Sequence, residues 1–459
     1  MANTYLTRTT GTGSRRKFTK SVWFKRSKLG DKQDLFGHNA SPNYNIEVQF
    51  KDDDTLRFYS YNNSSATVDF VTNRVFRDCN CWYHLVIAVD TEQSTEADRV
   101  KIYINGVQET SFSTADYPTL NEDLEISDGT RTGSIGAWYT GGDPYDGYMA
   151  YVAFIDGTQE LPTIFGSTDS VTGEWQIKTT ITPSSAWGTN GYLILKDGNT
   201  ITDQSSNSND WTSNGAGITK SEDNPSNVFC SWNFLTRDAT GSGDKFNLYY
   251  GNTEARSPSV GGTVSHPIVG TIGLTKGKWY WEALYVSGDS ANHIQIGITS
   301  KIRHTNVQYN HLGALDDDWS YHGHNGHICN GAGSSNTDIA YGDTYSAGDY
   351  VGVFIDLDNN KIYFSKNGTV QNSGTGQSIT AVADTNDGCY YPAFSDYHYS
   401  PSYILRANFG NGVFGSTALT GTTYNGADGR GIFKYDPTNV TLDGVSKSFN
   451  AISTRGLNE

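Results

Sequence analysis

Polar and apolar positions alternate with a period of two along most of this 459-residue chain, the pattern of strands that turn one face to a core and the other to solvent. FTKSVWFKRS (18–27), NIEVQFKD (45–52) and TLRFYSYN (55–62) all show it. WYHLVIAVD (82–90) is instead a nearly continuous apolar run, which predicts a strand buried on both faces. A polar loop follows, then RVKIYINGVQ (99–108), where Asn105–Gly106 signals a tight hairpin turn. GSIGAWY (133–139) and GYMAYVAFIDG (147–157) close a first β-sandwich, placed at residues 1–165. Between 166 and 245 the alternation loosens into polar, turn-rich stretches such as DQSSNSNDW (203–211) and SEDNPSN (221–227). One good strand, GYLILKDG (191–198), interrupts them, and a structureless loop of that length would be unusual. This segment reads as an ordered bridge whose strand augments the first sandwich.

Alternation resumes over residues 246–415. KGKWYWEALYV (276–286), HIQIGITS (293–300), DYVGVFIDLDNN (349–360), KIYFSKNGTV (361–370), YYPAFSDY (390–397) and YILRANFG (403–410) are all strand-like. DYVGVFIDLDNNKIYFSKNGTV echoes WYHLVIAVD…RVKIYINGV: a buried strand turns into a K-I-Y strand that ends at Asn-Gly. The echo predicts two related two-sheet units. Residues 416–459 read as an extended C-terminal tail, with GIFKY (431–435) as its best-ordered piece. Helical periodicity is absent throughout, so the fold class is all-β.

Composition agrees. There are 50 Gly, 29 Tyr, 20 Phe and 10 Trp against 2 Met, a balance of strand-forming and turn-forming residues. The formal net charge of −16 repels phosphate backbones, and the basic clusters Arg15–Arg16–Lys17 and Lys25–Arg26 with Lys28 read as solvated faces, so nucleic acid is not an expected partner. Apolar runs are of strand length only, and Arg15–Arg16–Lys17 has no apolar stretch after it; neither a signal peptide nor a membrane-inserted segment is expected. Five scattered cysteines, among them Cys79 and Cys81 without a second pair, read as reduced thiols.

These residues carry resemblances. WYHLVIAVD, the KIYINGV hairpin and GYMAYVAFIDG resemble the laminin-G/concanavalin-like lectin family. GKWYWEALY, IQIGITS, DYVGVFIDLDNNKIYFSKNG, YPAFS and ANFG, in that order, resemble a SPRY domain. The expected architecture is therefore two concanavalin-like antiparallel β-sandwiches in tandem, laminin-G-like then SPRY-like. The opening MANTYLTRTTGTGSRRKFTKSVWFKRS, the bridge SSNSNDWTSNG…DNPSNVFCSWN and the ending GIFKYDP resemble a recurring marine-bacteriophage virion protein. That resemblance implies a particle-borne structural protein, made in the host cytoplasm and released by lysis.

Candidate chemistry is sparse. A glycoside hydrolase needs two carboxylates on one face; in NEDLEISD (121–128), Glu125 shares a face with Asp123 and Ser127, an incomplete set in what reads as a solvated loop. Neither phosphate loops nor a Ser-His-Asp signature is present. Laminin-G-like domains often hold Ca2+ at the sheet rim, for which Asp143 and Asp146 of GGDPYDGY and Asp52, Asp53 and Asp54 are candidates, the competing reading being acidic turn residues bonded to local backbone. His322, His324 and His327 lie close together in HLGALDDDWSYHGHNGH (311–327), where the SPRY family has a variable surface loop; His-x-His spacing suits a transition metal. Loop aromatics Trp138, Tyr139, Tyr145, Trp319, Tyr321, Tyr397 and Tyr399 are candidate stacking surfaces for sugar rings, set against packing roles. The reading reached is a non-catalytic fibre or appendage component, a homo-oligomer such as a trimer, binding host-surface polysaccharide or other virion proteins. Its rivals are a decoration or connector protein making only protein contacts, a glycan-active enzyme and a free bacterial lectin.

Overall fold

A computed structural model describes all residues except 1–3, 197, 199, 238–244, 259–266, 303–310, 332–336, 397–401 and 459. It is nearly all β, 45% strand and 4% helical. The chain divides into two compact units, residues 1–220 with 224–226 and residues 221–223 with 227–459. Among the described residues no helix is long and apolar enough to cross a membrane.

In the first unit an eight-stranded sheet runs in the order Phe112–Asp116, Ser65–Val75, Thr55–Asn62, Tyr44–Phe50, Gln33–Ser41, Thr132–Ile135, Tyr5–Thr9, Thr212–Asn214. A six-stranded sheet runs Tyr192–Ile194, Gly147–Asp156, Lys17–Arg26, Tyr83–Asp90, Val100–Ile104, Val107–Gln108. The alternating positions Phe18, Val22 and Phe24 share a core with Ile46, Val48 and Phe50. WYHLVIAVD is nearly all apolar because both its faces are covered. Leu85, Ile87 and Val89 enter that core, while Val86 and Ala88 pack with Phe165, Ile181 and Leu193. Residues from the 166–220 stretch thus cover the back of the six-stranded sheet and add strands to both sheets, through Tyr192–Ile194 and Thr212–Asn214.

The second unit holds a larger sheet whose main path is Asn247–Tyr249, Glu254–Arg256, Ile404–Asn408, Lys278–Ser287, Tyr350–Asp356, Lys361–Lys366, Thr369–Val370. Its companion runs Ile268–Val269, Tyr391–Asp396, Ile294–Thr299, Trp319–His322, His327–Asn330, Thr337–Ala340. Trp279, Trp281 and Ala283 face the core between the sheets. The intervening Tyr280 faces the other way, into a second cluster with Phe354, Tyr363, Phe433, Leu442, Phe449 and Ala451.

That second cluster corrects the reading of 416–459 as an extended tail. Asn450–Ala451 pairs in parallel with Lys278–Ser287, and Phe433, Leu442 and Phe449 are fully buried. Tyr280, Phe354 and Tyr363 make the sheet apolar on its outer face, and an apolar face must be covered. The bridge also divides: Phe229, Cys230 and Trp232 belong to the second unit's interior.

The Asn-Gly turns that end the two K-I-Y strands take the left-handed conformation that makes them favourable in tight hairpins: φ is 49° and 79° at Asn105 and Gly106, 49° and 82° at Asn367 and Gly368. In each the glycine also makes room for a ring from a later segment. A Cβ on Gly106 would lie 2.4 Å from Trp175, and one on Gly368 would lie 2.5 Å from Tyr435.

Candidate functional site

The aromatic candidates separate by environment. Trp138 and Tyr139 are half-buried on a tight turn closed by Trp138 N–H to Gly142 O and Gly141 N–H to Trp138 O, with ring centroids 5.6 Å apart. Tyr145 is held structurally: its hydroxyl donates to Lys25 O at 2.8 Å, and burial raises its pKa. Trp319 and Tyr321 are not loop residues. They are the inward positions of the Trp319–His322 strand and lie in the core, with Ser320 and His322 alternating outward. Four residues of alternation inside a His-, Asp- and Gly-rich segment are too few to stand out by periodicity. Tyr397 and Tyr399 lie outside the described residues.

The histidines also part company. His322 is buried, and both its ring nitrogens have neighbours: Nε2 meets Ser320 Oγ at 2.9 Å and Gln295 Nε2 at 3.1 Å, and Nδ1 meets Cys329 Sγ at 3.5 Å. Burial first, then neighbouring His311 and His324, holds its pKa down to about 3. His327 pairs with Asp338 at 2.7 Å, and His324 is exposed with its ring 5.1 Å from that of His293. Among the described residues no group of three His, Cys, Asp or Glu side chains is placed to hold a metal.

The acidic candidates are mostly paired. Asp143 meets Lys32 at 2.7 Å. Asp53 accepts from Thr55 N–H at 3.0 Å, and Asp54 accepts from Arg26 and Gly30 and pairs with Arg77. Asp146 is raised to about 6 by burial. Glu125 is not in a solvated loop: it is buried between Arg15, at 3.0 Å, and Arg131.

A groove that the sequence did not single out lies in the second unit, where the C-terminal segment crosses the larger sheet. Its volume is about 450 Å3, within the ~300–1,000 Å3 of small-molecule sites. Phe354 and Val370 supply apolar lining; Tyr424, Tyr435, Lys434, Asp436, Thr438 and Asn439 bring rings and hydrogen-bonding groups. The Glu282 carboxylate, fully buried, fixes the wall. It accepts from Tyr435 N–H at 2.7 Å, Lys434 N–H at 3.0 Å and Asn408 Nδ2 at 3.1 Å. Burial raises Glu282 to about 7, against the opposing pull of those donors. Tyr435 rests over Gly368, and Lys434 Nζ lies 5.6 Å from the Tyr435 ring centroid. Asp436 accepts from Thr438 N–H and Oγ1, holding the next turn, and Tyr424 exchanges two backbone bonds with Phe433. Apolar rings beside fixed hydroxyl, amide and charged groups suit a polyhydroxylated ligand. The legible signal was GIFKY itself, whose aromatic positions needed a sheet to pack on.

The fold is a tandem all-β architecture, and comparison with known proteins shows what each half resembles. Residues 2–164 match the family described as the Concanavalin A-like lectin/glucanases superfamily, and residues 278–412 match the SPRY domain. The chain thus carries a region similar to a concanavalin-like domain followed by one similar to a SPRY domain. It is 30% identical over 167 residues to Ran-binding protein 9 of Mus musculus, covering 36% of this chain and 22% of that protein. It is 29% identical over 168 residues to Ran-binding protein 10 of Danio rerio, covering 36% and 24%. The chain therefore spans about a quarter of the length of these relatives. Among solved structures, a human SPRY domain is similar at 21% identity and TM-score 0.28, over 36% of this chain and 96% of that one. A heptameric pentraxin from Limulus polyphemus is similar at 16% identity and TM-score 0.27, over 35% and 72%. The groove-forming residues 422–440 fall beyond the SPRY match.

Proposed function

We propose that this chain is a non-catalytic component of a bacteriophage fibre or appendage, and that it holds host-surface glycan in the groove of its second unit. The groove carries the proposal: exposed Tyr424 and half-buried Tyr435 flank fixed polar groups on a wall anchored by Glu282. The particle-borne role rests on the resemblance of the opening, bridge and ending segments to marine-phage virion proteins. The half-exposed Trp138–Tyr139 turn is a second stacking surface of the same kind.

The test is binding of the native oligomer to a glycan array and to whole host cells, with Tyr424→Ala and Asn439→Ala beside wild type. Both side chains are exposed, so the fold should persist, at a cost of about 1 kcal/mol for alanine at the left-handed φ of 57° of Asn439, and affinity should fall about tenfold, ~1.4 kcal/mol. Because stacking rather than charge carries the contact, binding should persist at high salt. Wild-type protein that binds no glycan, and that imaging of intact particles places wholly between other virion proteins, would establish the connector reading instead. Release of shorter glycans by wild-type protein would establish the enzyme reading.

A further inference from the structure

The first unit carries a buried array of oxygen atoms that the groove does not involve. In the Tyr44–Phe50 strand Ile46, Val48 and Phe50 face the core, so Asn45, Glu47 and Gln49 face outward. Register on the neighbouring Gln33–Ser41 strand sets Asp34 opposite Gln49, Gly37 opposite Glu47 and Asn39 opposite Asn45. Gly37 leaves Glu47 room to lean across: a Cβ there would meet Glu47 Cγ at 2.9 Å. An outward polar row on a sheet is ordinarily solvated, yet Asp34, Asn45, Glu47 and Gln49 are each only 2% exposed.

Their hydrogen bonding is one-sided. Tyr59 donates its hydroxyl to Glu47 Oε2, and Asn45 Nδ2 donates to Pro42 O at 2.7 Å. Both carboxylate oxygens of Asp34, Glu47 Oε1, Gln49 Oε1 and Asn45 Oδ1 are buried and accept no hydrogen bond within the described residues. Buried polar atoms are ordinarily satisfied, and an unpaired buried carboxylate is among the costliest groups to leave so. Of the nearby cations, Lys32 directs its ammonium to Asp143 at 2.7 Å, and Lys20 holds its ammonium over the Phe36 ring, 4.5 Å from the centroid.

We propose that this face binds one hard divalent cation, Ca2+, between Asp34 and Glu47, with Gln49 as a neutral oxygen ligand. Apart from Asn39 Nδ2, the unsatisfied atoms of this row are oxygens, which disfavours a soft metal, and two carboxylates match a double positive charge. Ca2+ accommodates irregular oxygen sets, whereas Mg2+ demands near-ideal octahedral geometry and dehydrates reluctantly. Burial holds both carboxyl groups above the usual carboxylate range, with repulsion from Glu47 adding to it at Asp34 and repulsion from Asp143 at Glu47, so cation entry displaces protons.

The experiment uses the full chain, stripped with chelator and titrated calorimetrically with CaCl2 at neutral pH in two buffers of different ionisation enthalpy. The expected result is saturable one-to-one binding with proton release, a higher melting midpoint for the first unit, and much weaker binding of Mg2+. The double variant D34N/E47Q should lose Ca2+ binding, whereas D143N, in the neighbouring loop, should keep it. If the double variant does not fold, Gln49→Ala should still weaken Ca2+ several-fold. No saturable Ca2+ binding by wild type, binding undiminished in D34N/E47Q or in Gln49→Ala, or binding lost in D143N but kept in D34N/E47Q would each overturn the proposal.

Discussion

Phe449→Ala tests whether residues 416–459 are structural or merely laid over the second unit. The Phe449 ring is fully buried and lies edge-on to Phe354, centroids 5.1 Å apart, in the cluster with Tyr280, Tyr363, Phe433 and Leu442. Truncating a buried phenylalanine costs about 3–5 kcal/mol, from lost transfer energy and the cavity left behind. A single domain is stable by roughly 5–15 kcal/mol, so this one change should remove a large share of the second unit's stability. For a unit of this size each kcal/mol shifts the melting midpoint by about 2–4 °C, which predicts a fall of roughly 6–20 °C. Calorimetry of the whole chain should show that fall in the second unit's transition and leave the first unit's in place. Glycan affinity should weaken with it, because the same segment supplies Tyr424 and Tyr435. A midpoint within 2 °C of wild type would refute the burial of this segment and remove the groove as a preformed site.

Other outcomes follow from the same structure. Trp319→Ala should destabilise the second unit by about 3–5 kcal/mol in denaturant unfolding, whereas Trp138→Ala, at a half-exposed position, should change the first unit by less than about 1 kcal/mol; comparable effects would contradict the assigned burial. Gly368→Ala should cost about 1–2 kcal/mol for its left-handed φ of 82° and, by pushing Tyr435, should also lower glycan affinity. His322, at about 3, binds a proton more weakly folded than unfolded, so its share of stability is present above the unfolded value near 6.5 and is lost as pH falls toward about 3. His311, His324, His327 and Asp338 face it, and His322→Gln should flatten the drop in melting midpoint between about pH 7 and about pH 4.5. Identical pH profiles for the two proteins would refute that assignment.

Much of the framework was legible in the chain alone, because a strand's two faces are written at a spacing of two residues. FTKSVWFKRS, NIEVQFKD and KGKWYWEALYV announced strands, and Asn105–Gly106 and Asn367–Gly368 announced hairpins whose backbone requires them. The continuous run WYHLVIAVD announced burial on both faces, though not which residues would cover the second one. That was decided by tertiary contacts: Phe165 and Ile181 cover the back of the first unit's sheet, and Phe433, Leu442 and Phe449 cover the second unit's. Such covering residues are spaced by the path of the chain over a sheet rather than by any helical or strand period, so they carry no local signature. The same holds for the sites. Trp319 and Tyr321 sit among loop-forming residues in sequence and in a core in space, since two inward positions are too few to reveal a strand. Tyr435 meets Gly368 and Glu282 across 67 and 153 positions, and Asp34 meets Glu47 only because strand register carries each side chain to the same face. Sequence determined which segments would be strands and where they would turn; the packing of one sheet face against a distant segment decided which aromatics were core, which lined a groove, and which carboxylates would share a buried surface.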